Sequence, residues 1–278
     1  MTEPTGPDAA ETSPVVRTSR DGGVVTITLW RPEVRNALSG ELLGALRRAV
    51  ADAEHDDAVQ AIVLTGADPA FCAGLDLVDL AAGRLGDAFR FDPDVPPWER
   101  TPLATVDGEP RRTPLIGAVN GVAVTGGLEL ALGCDLLVAS ERARFADTHA
   151  RVGILPGWGL TALLPQAVGV RRAREMSATG NYVDAPTALA WGLVNHVVPH
   201  DELLPVAQSI AADIASNDAR AVRAILEVYE AGTRGTGAQA WHDEDAAARA
   251  WFRAGRGDPD QVEQRRRQVV DRGRSQTD

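Results

Sequence analysis

Residues 114 to 140 read PLIGAVNGVAVTGGLELALGCDLLVAS, and this stretch decides the fold. Leu115 to Val119 has the apolar character of a buried strand, Gly126 to Gly133 forms a short apolar helix, and Leu136 to Ala139 is strand-like again. Such alternation predicts βα units around a buried sheet. Upstream, Val24 to Leu29 (VVTITL) is a strand, Arg31-Pro32 breaks it, and Ser39 caps an apolar-periodic helix from Gly40 to about Glu54. Ala61 to Thr65 (AIVLT) is a further buried strand. From Thr161 onward the periodicity is helical, over 161–178, 185–190, 203–215, 218–231 and 238–253. The fold class predicted is α/β, with a helical C-terminal region after the core. Residues 83–112 mix Pro, Gly, charge and a few aromatics without a period, as expected of a long excursion that borders a site.

Composition narrows the function. The 278 residues are 44% hydrophobic, enough for a substantial core, and the net charge of -11 disfavours a nucleic acid or an acidic membrane surface as partner. All 28 basic residues are Arg, so Schiff-base chemistry and lysine-anchored phosphate loops are excluded. Cys72 and Cys134 lack Cys-x-x-Cys or Cys/His metal spacing and have no basic cluster to activate a thiolate. With no Gly-x-Gly-x-x-Gly after a strand and no cluster among His149, His196 and His200, no metal and no redox cofactor is expected. Residues 1–14 form an acidic, polar tail with no signal-peptide pattern, and no apolar run reaches about 18 residues, so a cytoplasmic protein is expected. The charged stretch 253–268 (RAGRGDPDQVEQRRRQ) reads as a solvated helix face.

Two segments carry chemistry. Phe71-Cys72-Ala73-Gly74-Leu75-Asp76 follows a buried strand and has small residues that let a ligand approach the backbone. By itself that is a turn. Asn120 to Glu129 (NGVAVTGGLE) places Gly126 where a helix opens, and Glu129 three residues on, so a free N–H and a carboxylate share one face. Enolate chemistry needs N–H groups aimed at a carbonyl oxygen and a base beside the carbon that changes protonation.

Together with RPEVRNALS (31–39), AIVLTGADPAFCAGLDL (61–77), ARFADTHARVGILPGWG (143–159) and ALAWGLVNHVVPHDEL (188–203), these motifs resemble the enoyl-CoA hydratase/isomerase (crotonase) family in order over roughly residues 15–270. The resemblance implies a crotonase-like ββα spiral core over 15–200 and a helical region over 201–278 that serves as lid and trimer interface. It implies an acyl-CoA thioester substrate, with coenzyme A as part of that substrate, and a homotrimer or dimer of trimers. Oxyanion-hole amides fall on Leu75 and Gly126, and the first family glutamate on Glu129. Arg35, Ala37, Ala73, Asp76 and Gly127 match CoA-binding positions, with Arg35 either meeting a phosphate or standing as an ordinary surface arginine before a helix.

The second family glutamate, usually after Phe-Gly-x-Pro, aligns with His149 in Phe145-Ala146-Asp147-Thr148-His149. An imidazole with an ordinary pKa near 6.5 can orient water or move a proton near neutrality. If the segment is extended, Asp147 shares its face and either fixes the imidazole tautomer or competes with Glu129 as a second acid. Where the family commonly carries Pro-Gly-x-Gly-Gly, this chain reads Pro156-Gly157-Trp158-Gly159-Leu160, and Trp158 either closes the acyl pocket or fills core. Hydration of a trans-2-enoyl-CoA to a 3-hydroxyacyl-CoA is the leading reading. A 3-enoyl-CoA to 2-enoyl-CoA isomerase working through Glu129 alone, and a non-catalytic acyl-CoA-binding protein, are the alternatives.

Overall fold

The computed structural model describes residues 15–85, 101–103 and 105–254, together with Asp260, Glu263, Arg266, Val270, Asp271 and Arg274. The tail expected over 1–14 and most of the charged stretch 253–268 lie outside the described residues. In chain order the elements are β1 (Val16–Asp21), β2 (Val24–Leu29), α1 (Gly40–His55), β3 (Ala61–Gly66), β4 (Ala70–Cys72) and α2 (Leu77–Ala81). There follow β5 (Thr105–Val106), β6 (Glu109–Pro110), β7 (Leu115–Val119), β8 (Val122–Val124), α3 (Gly126–Leu132), β9 (Leu136–Ser140), β10 (Arg144–Ala146) and α4 (His149–Val152). The chain continues through α5 (Leu160–Val168), α6 (Val170–Thr179), β11 (Val183–Asp184), α7 (Ala185–Trp191), β12 (His196–Val198), α8 (Leu203–Ala215) and α9 (Ala219–Arg253).

One sheet has the order β1-β2-β3-β7-β9-β12, parallel except for the β1/β2 pair, and a second has the order β11-β10-β8-β4. Each of β3, β7 and β9 in the large sheet turns within a few residues into β4, β8 or β10 of the small one. A helix then follows, so the expected ββα spiral is what the chain builds.

The strand β3 is buried along its whole length because both of its faces are covered. Ile62 and Leu64 face the main core with α1, while Ala61 and Val63 face Leu203, Ala207 and Ala211 of α8. Thus α8 is the second cover of the large sheet.

The helices depart from the sequence expectation in two places. The expected helix 161–178 is two helices, because Gly169 adopts φ 81° and ends α5. The two helices expected over 218–231 and 238–253 run on as the single α9, capped at its start by Asp218. Within the excursion 83–112, the described part closes as a hairpin at Asp107-Gly108, both at positive φ, as a two-residue Asp-Gly turn requires.

The helix α3 lies directly against β4. A Cβ at Gly127 would overlap the Cys72 carbonyl oxygen, which explains the glycine by close packing. Gly127→Ala is expected to cost about 1–3 kcal/mol. In scanning calorimetry that lowers Tm by roughly 2–4 °C for each kcal/mol, and an unchanged Tm would contradict this contact.

Candidate active site

Three neighbouring parallel strands of the small sheet, β4, β8 and β10, end side by side, and the residues that follow them form the site. After β4 comes Ala73-Gly74-Leu75. Leu38 pairs with this segment, its N–H donating to the Gly74 carbonyl at 2.8 Å and its carbonyl accepting from Asp76 N at 3.0 Å. In such a parallel bridge the amide of the intervening Leu75 is turned away from Leu38. Gly74 sits at φ 88°, where a Cβ would come within 2.7 Å of the Val124 carbonyl, so the close approach of the two loops needs glycine.

After β8, Thr125 adopts φ 54° and ψ -115°, an unusual conformation for a residue with a branched side chain. Its N–H donates to the Ala146 carbonyl at 3.0 Å, and its hydroxyl is 2.6 Å from that of Thr148. The turn directs the chain into α3 with Gly126 as the first helical residue. A Cβ at Gly126 would lie 3.1 Å from Leu38 Cδ1, 3.4 Å from the Trp158 ring and 3.7 Å from Leu75 Cδ2. Among the described residues no acceptor pairs with the amide of Leu75 or that of Gly126. Leu75 and Gly126, the residues predicted to supply the oxyanion donors, therefore lie beside each other.

Glu129, on the first turn of α3, is 5% exposed. Its Oε1 accepts from the amides of Gly157 at 3.2 Å and Trp158 at 2.8 Å. Its Oε2 lies 3.6 Å from His149 Nε2. The two carboxylate oxygens thus have separate tasks.

The extended course expected for 145–149 is corrected. The strand β10 stops at Ala146 and His149 begins α4, so Phe145, Asp147 and His149 do not line one strand face. Asp147 nonetheless reaches His149 by folding back. Its Oδ1 accepts from the His149 backbone N at 3.1 Å and lies 2.7 Å from Nδ1. Burial works to raise the Asp147 carboxyl, but the bonds and charge of His149 and a bond from Ser177 on α6 outweigh it and hold the group below the usual carboxylate range. A depressed carboxyl is a poor second acid, which leaves the tautomer-fixing role of the two expected for it.

Trp158 is buried, with its amide on Glu129 and its ring beside Gly126, so it forms a wall of this site. Of the positions matched to CoA, Arg35 is exposed and its carbonyl accepts from Ala73 N, while Ala37 O accepts from Arg31 Nη1. Both carboxylate oxygens of Asp76 are engaged: Oδ1 caps α2 and Oδ2 pairs with Arg31 at 3.1 Å. Burial pushes the thiols of Cys72 and Cys134 up to about 12, consistent with inert packing.

Several contributors had no legible signal. Asn36, fully buried at φ 55°, accepts from Arg31 N through Oδ1 and donates to the carbonyls of Ala67, Ala70 and Phe71. It clamps the loop that carries Leu75. Thr125 and the Gly157 amide also escaped sequence reasoning, because a conformation and a main-chain donor leave no residue-type signature. His200 lies 3.0 Å from Ser140 Oγ and 3.1 Å from Asp68, but that hydroxyl is fully buried, so this Ser/His/Asp set ties the end of β9 to the α8 approach.

A model of the enoyl-CoA hydratase/isomerase family matches residues 19–255. The chain belongs to this enzyme family. It is 41% identical over 213 residues to a probable peroxisomal enoyl-CoA hydratase of Arabidopsis thaliana, covering 77% of each chain. Among solved structures, an enoyl-CoA hydratase from Mycobacterium smegmatis is 48% identical with a TM-score of 0.75, over 87% of this chain and 100% of that one. A monofunctional enoyl-CoA isomerase of the same species is 30% identical with a TM-score of 0.64, over 80% and 94% respectively. Among the described residues no helix is long and apolar enough to cross a membrane.

Proposed function

We propose that this chain hydrates a trans-2-enoyl-CoA to a 3-hydroxyacyl-CoA. The observation that carries this reading is the approach of Glu129 Oε2 and His149 Nε2 to 3.6 Å in a buried site. That separation is too long for a direct hydrogen bond, and a water oxygen about 2.8 Å from each atom would bridge the pair. Water addition requires such a point. The amides of Leu75 and Gly126 hold the thioester oxygen and stabilise the enolate as charge develops there. Glu129 takes a proton from the water that attacks C3, and His149 stands where the second proton-handling group is required.

Isomerisation of a 3-enoyl-CoA needs one shuttling carboxylate and gives no task to His149 held against Asp147. Binding without turnover gives no task to a buried Glu129 beside two unpaired amides. No metal or redox cofactor enters the reaction proposed. The probable hydratases similar to this chain include proteins named peroxisomal and mitochondrial as well as bacterial ones, and a cytoplasmic setting remains part of the proposal for this chain. A homotrimer or dimer of trimers assembled through the C-terminal region 201–278 belongs to the same reading.

In the test, loss of the conjugated thioester's ultraviolet absorbance is followed with short, medium and branched 2-enoyl-CoAs. Wild type is expected to hydrate at least one of them, and His149→Ala to lower that rate by about 10²-fold. No hydration at high enzyme concentration, with conjugation appearing from a 3-enoyl-CoA, would transfer the assignment to the isomerase.

A further inference from the structure

We propose that Asp147 is a positioning residue that holds His149 as an imidazolium, so that the resting site contains a proton donor on Nε2 and a base on Glu129 Oε2. This rests on the hydratase reading above and names the groups that carry its two protons.

The geometry leaves few alternatives. Asp147 Oδ1 is 2.7 Å from Nδ1 and also accepts the backbone N–H of His149, so the oxygen faces the ring nitrogen as an acceptor and Nδ1 must carry hydrogen. Nε2 then faces Glu129 Oε2 either with a lone pair or with a second hydrogen. Two carboxylates, Glu129 at 3.6 Å and Asp147 at 2.7 Å, flank one buried ring, and a second hydrogen, by making the ring a cation, offsets their charge. The charged and polar groups that meet the ring favour the second state. Glu129 approaches from α3 and Asp147 from the β10–α4 connection, with the Ser177 hydroxyl from α6 bonded to Asp147 behind it. Arg151, the cation nearest in sequence, bonds through Nη2 to Thr179 O and Asn181 Oδ1.

The amides of Gly157 and Trp158 bond Glu129 Oε1, and Oε2 is the oxygen that faces His149 Nε2 and takes the role of base. Water loses one proton to Oε2 as its oxygen bonds to C3, the C2=C3 electron pair moves toward the thioester carbonyl, and Nε2 delivers its proton to C2. The product gains one hydroxyl and one hydrogen, Glu129 is left protonated and His149 neutral. Transfer of that proton from Oε2 to Nε2 restores the resting state, so no outside acid or base is consumed.

The test is Asp147→Asn, read on the resting protein and in turnover. In ¹⁵N-histidine NMR, the signal assigned by its loss in His149→Gln is expected to show both ring nitrogens protonated at pH 7, with a downfield Nδ1 proton. Asp147→Asn should abolish this pattern. In turnover the same variant should lose about 10–100-fold in kcat with KM changed less than threefold, and its alkaline limb should move down by about one pH unit. Should Asp147→Asn fail to fold, Ser177→Ala, which removes a donor that weakens the Asp147 carboxylate as an acceptor, is expected to move the limb up by a smaller step. A singly protonated His149 in the wild-type spectrum, or an alkaline limb unmoved by the variant that folds, overturns the proposal. An imidazolium spectrum in a protein that hydrates no 2-enoyl-CoA supports the charge state and removes the hydratase reading instead.

Discussion

Replacing Glu129 with Gln is expected to lower kcat by about 10²–10⁴-fold while leaving the affinity for a CoA thioester within about threefold. The amide oxygen of Gln can still accept from Gly157 and Trp158, as Glu129 Oε1 does now, so the α3 contact with the 153–159 loop survives. What disappears is the basic oxygen beside His149 Nε2. The amides of Leu75 and Gly126 remain, and with them the contact proposed for the thioester oxygen. Steady-state kinetics with calorimetric binding of the product thioester separates the two effects. A variant that turns over at the wild-type rate would remove Glu129 from the chemistry, and one that loses binding in parallel would make it a structural anchor.

The strand–helix–strand order around 114–140 was legible because parallel strands buried on both faces leave uninterrupted apolar runs, and because Gly126 and Glu129 are spaced by one helical turn. The family motifs carried Leu75 and His149. Where sequence reasoning fell short, the physics was non-local. Nothing in the local pattern of 161–178 separates α5 from α6 except Gly169, and its positive φ depends on how the two helices dock. The continuous α9 crosses Gly232 and Gly235, which lower local helix preference and invite a break. The periodicity of 143–149 allows an extended course and does not register the stop after Ala146, where the Thr125–Thr148 bond joins the segment to a distant turn. The Glu129 clamp by main-chain amides and the Asp147 fold-back are likewise products of tertiary placement.

Asn36 carries the largest stability prediction. Its side chain satisfies one main-chain donor and three main-chain acceptors, all at the junction between the 31–38 segment and the loop that delivers Leu75. Asn36→Ala strands these groups in a site with no exposure and places Cβ chemistry without a compensating bond at φ 55°. Each buried polar group left without a partner costs about 1–3 kcal/mol, so partial relaxation still leaves a loss on the order of 3 kcal/mol. Tm should fall by roughly 6–12 °C for a chain of this size. Asn36→Asp is the sharper comparison, since it keeps the shape and the acceptor for Arg31 N but sets a carboxyl against three carbonyl oxygens. It must be buried either as a charge or as an acid that donates to only one of them, and it should be at least as destabilising as Ala. Because the clamp fixes the loop before Gly74, kcat/KM measured below the transition should fall in both variants through misplacement of the Leu75 amide. Calorimetry showing Asn36→Asp as stable as wild type would contradict the donor assignment, and a drop of less than about 2 °C for Asn36→Ala would deny the clamp its role.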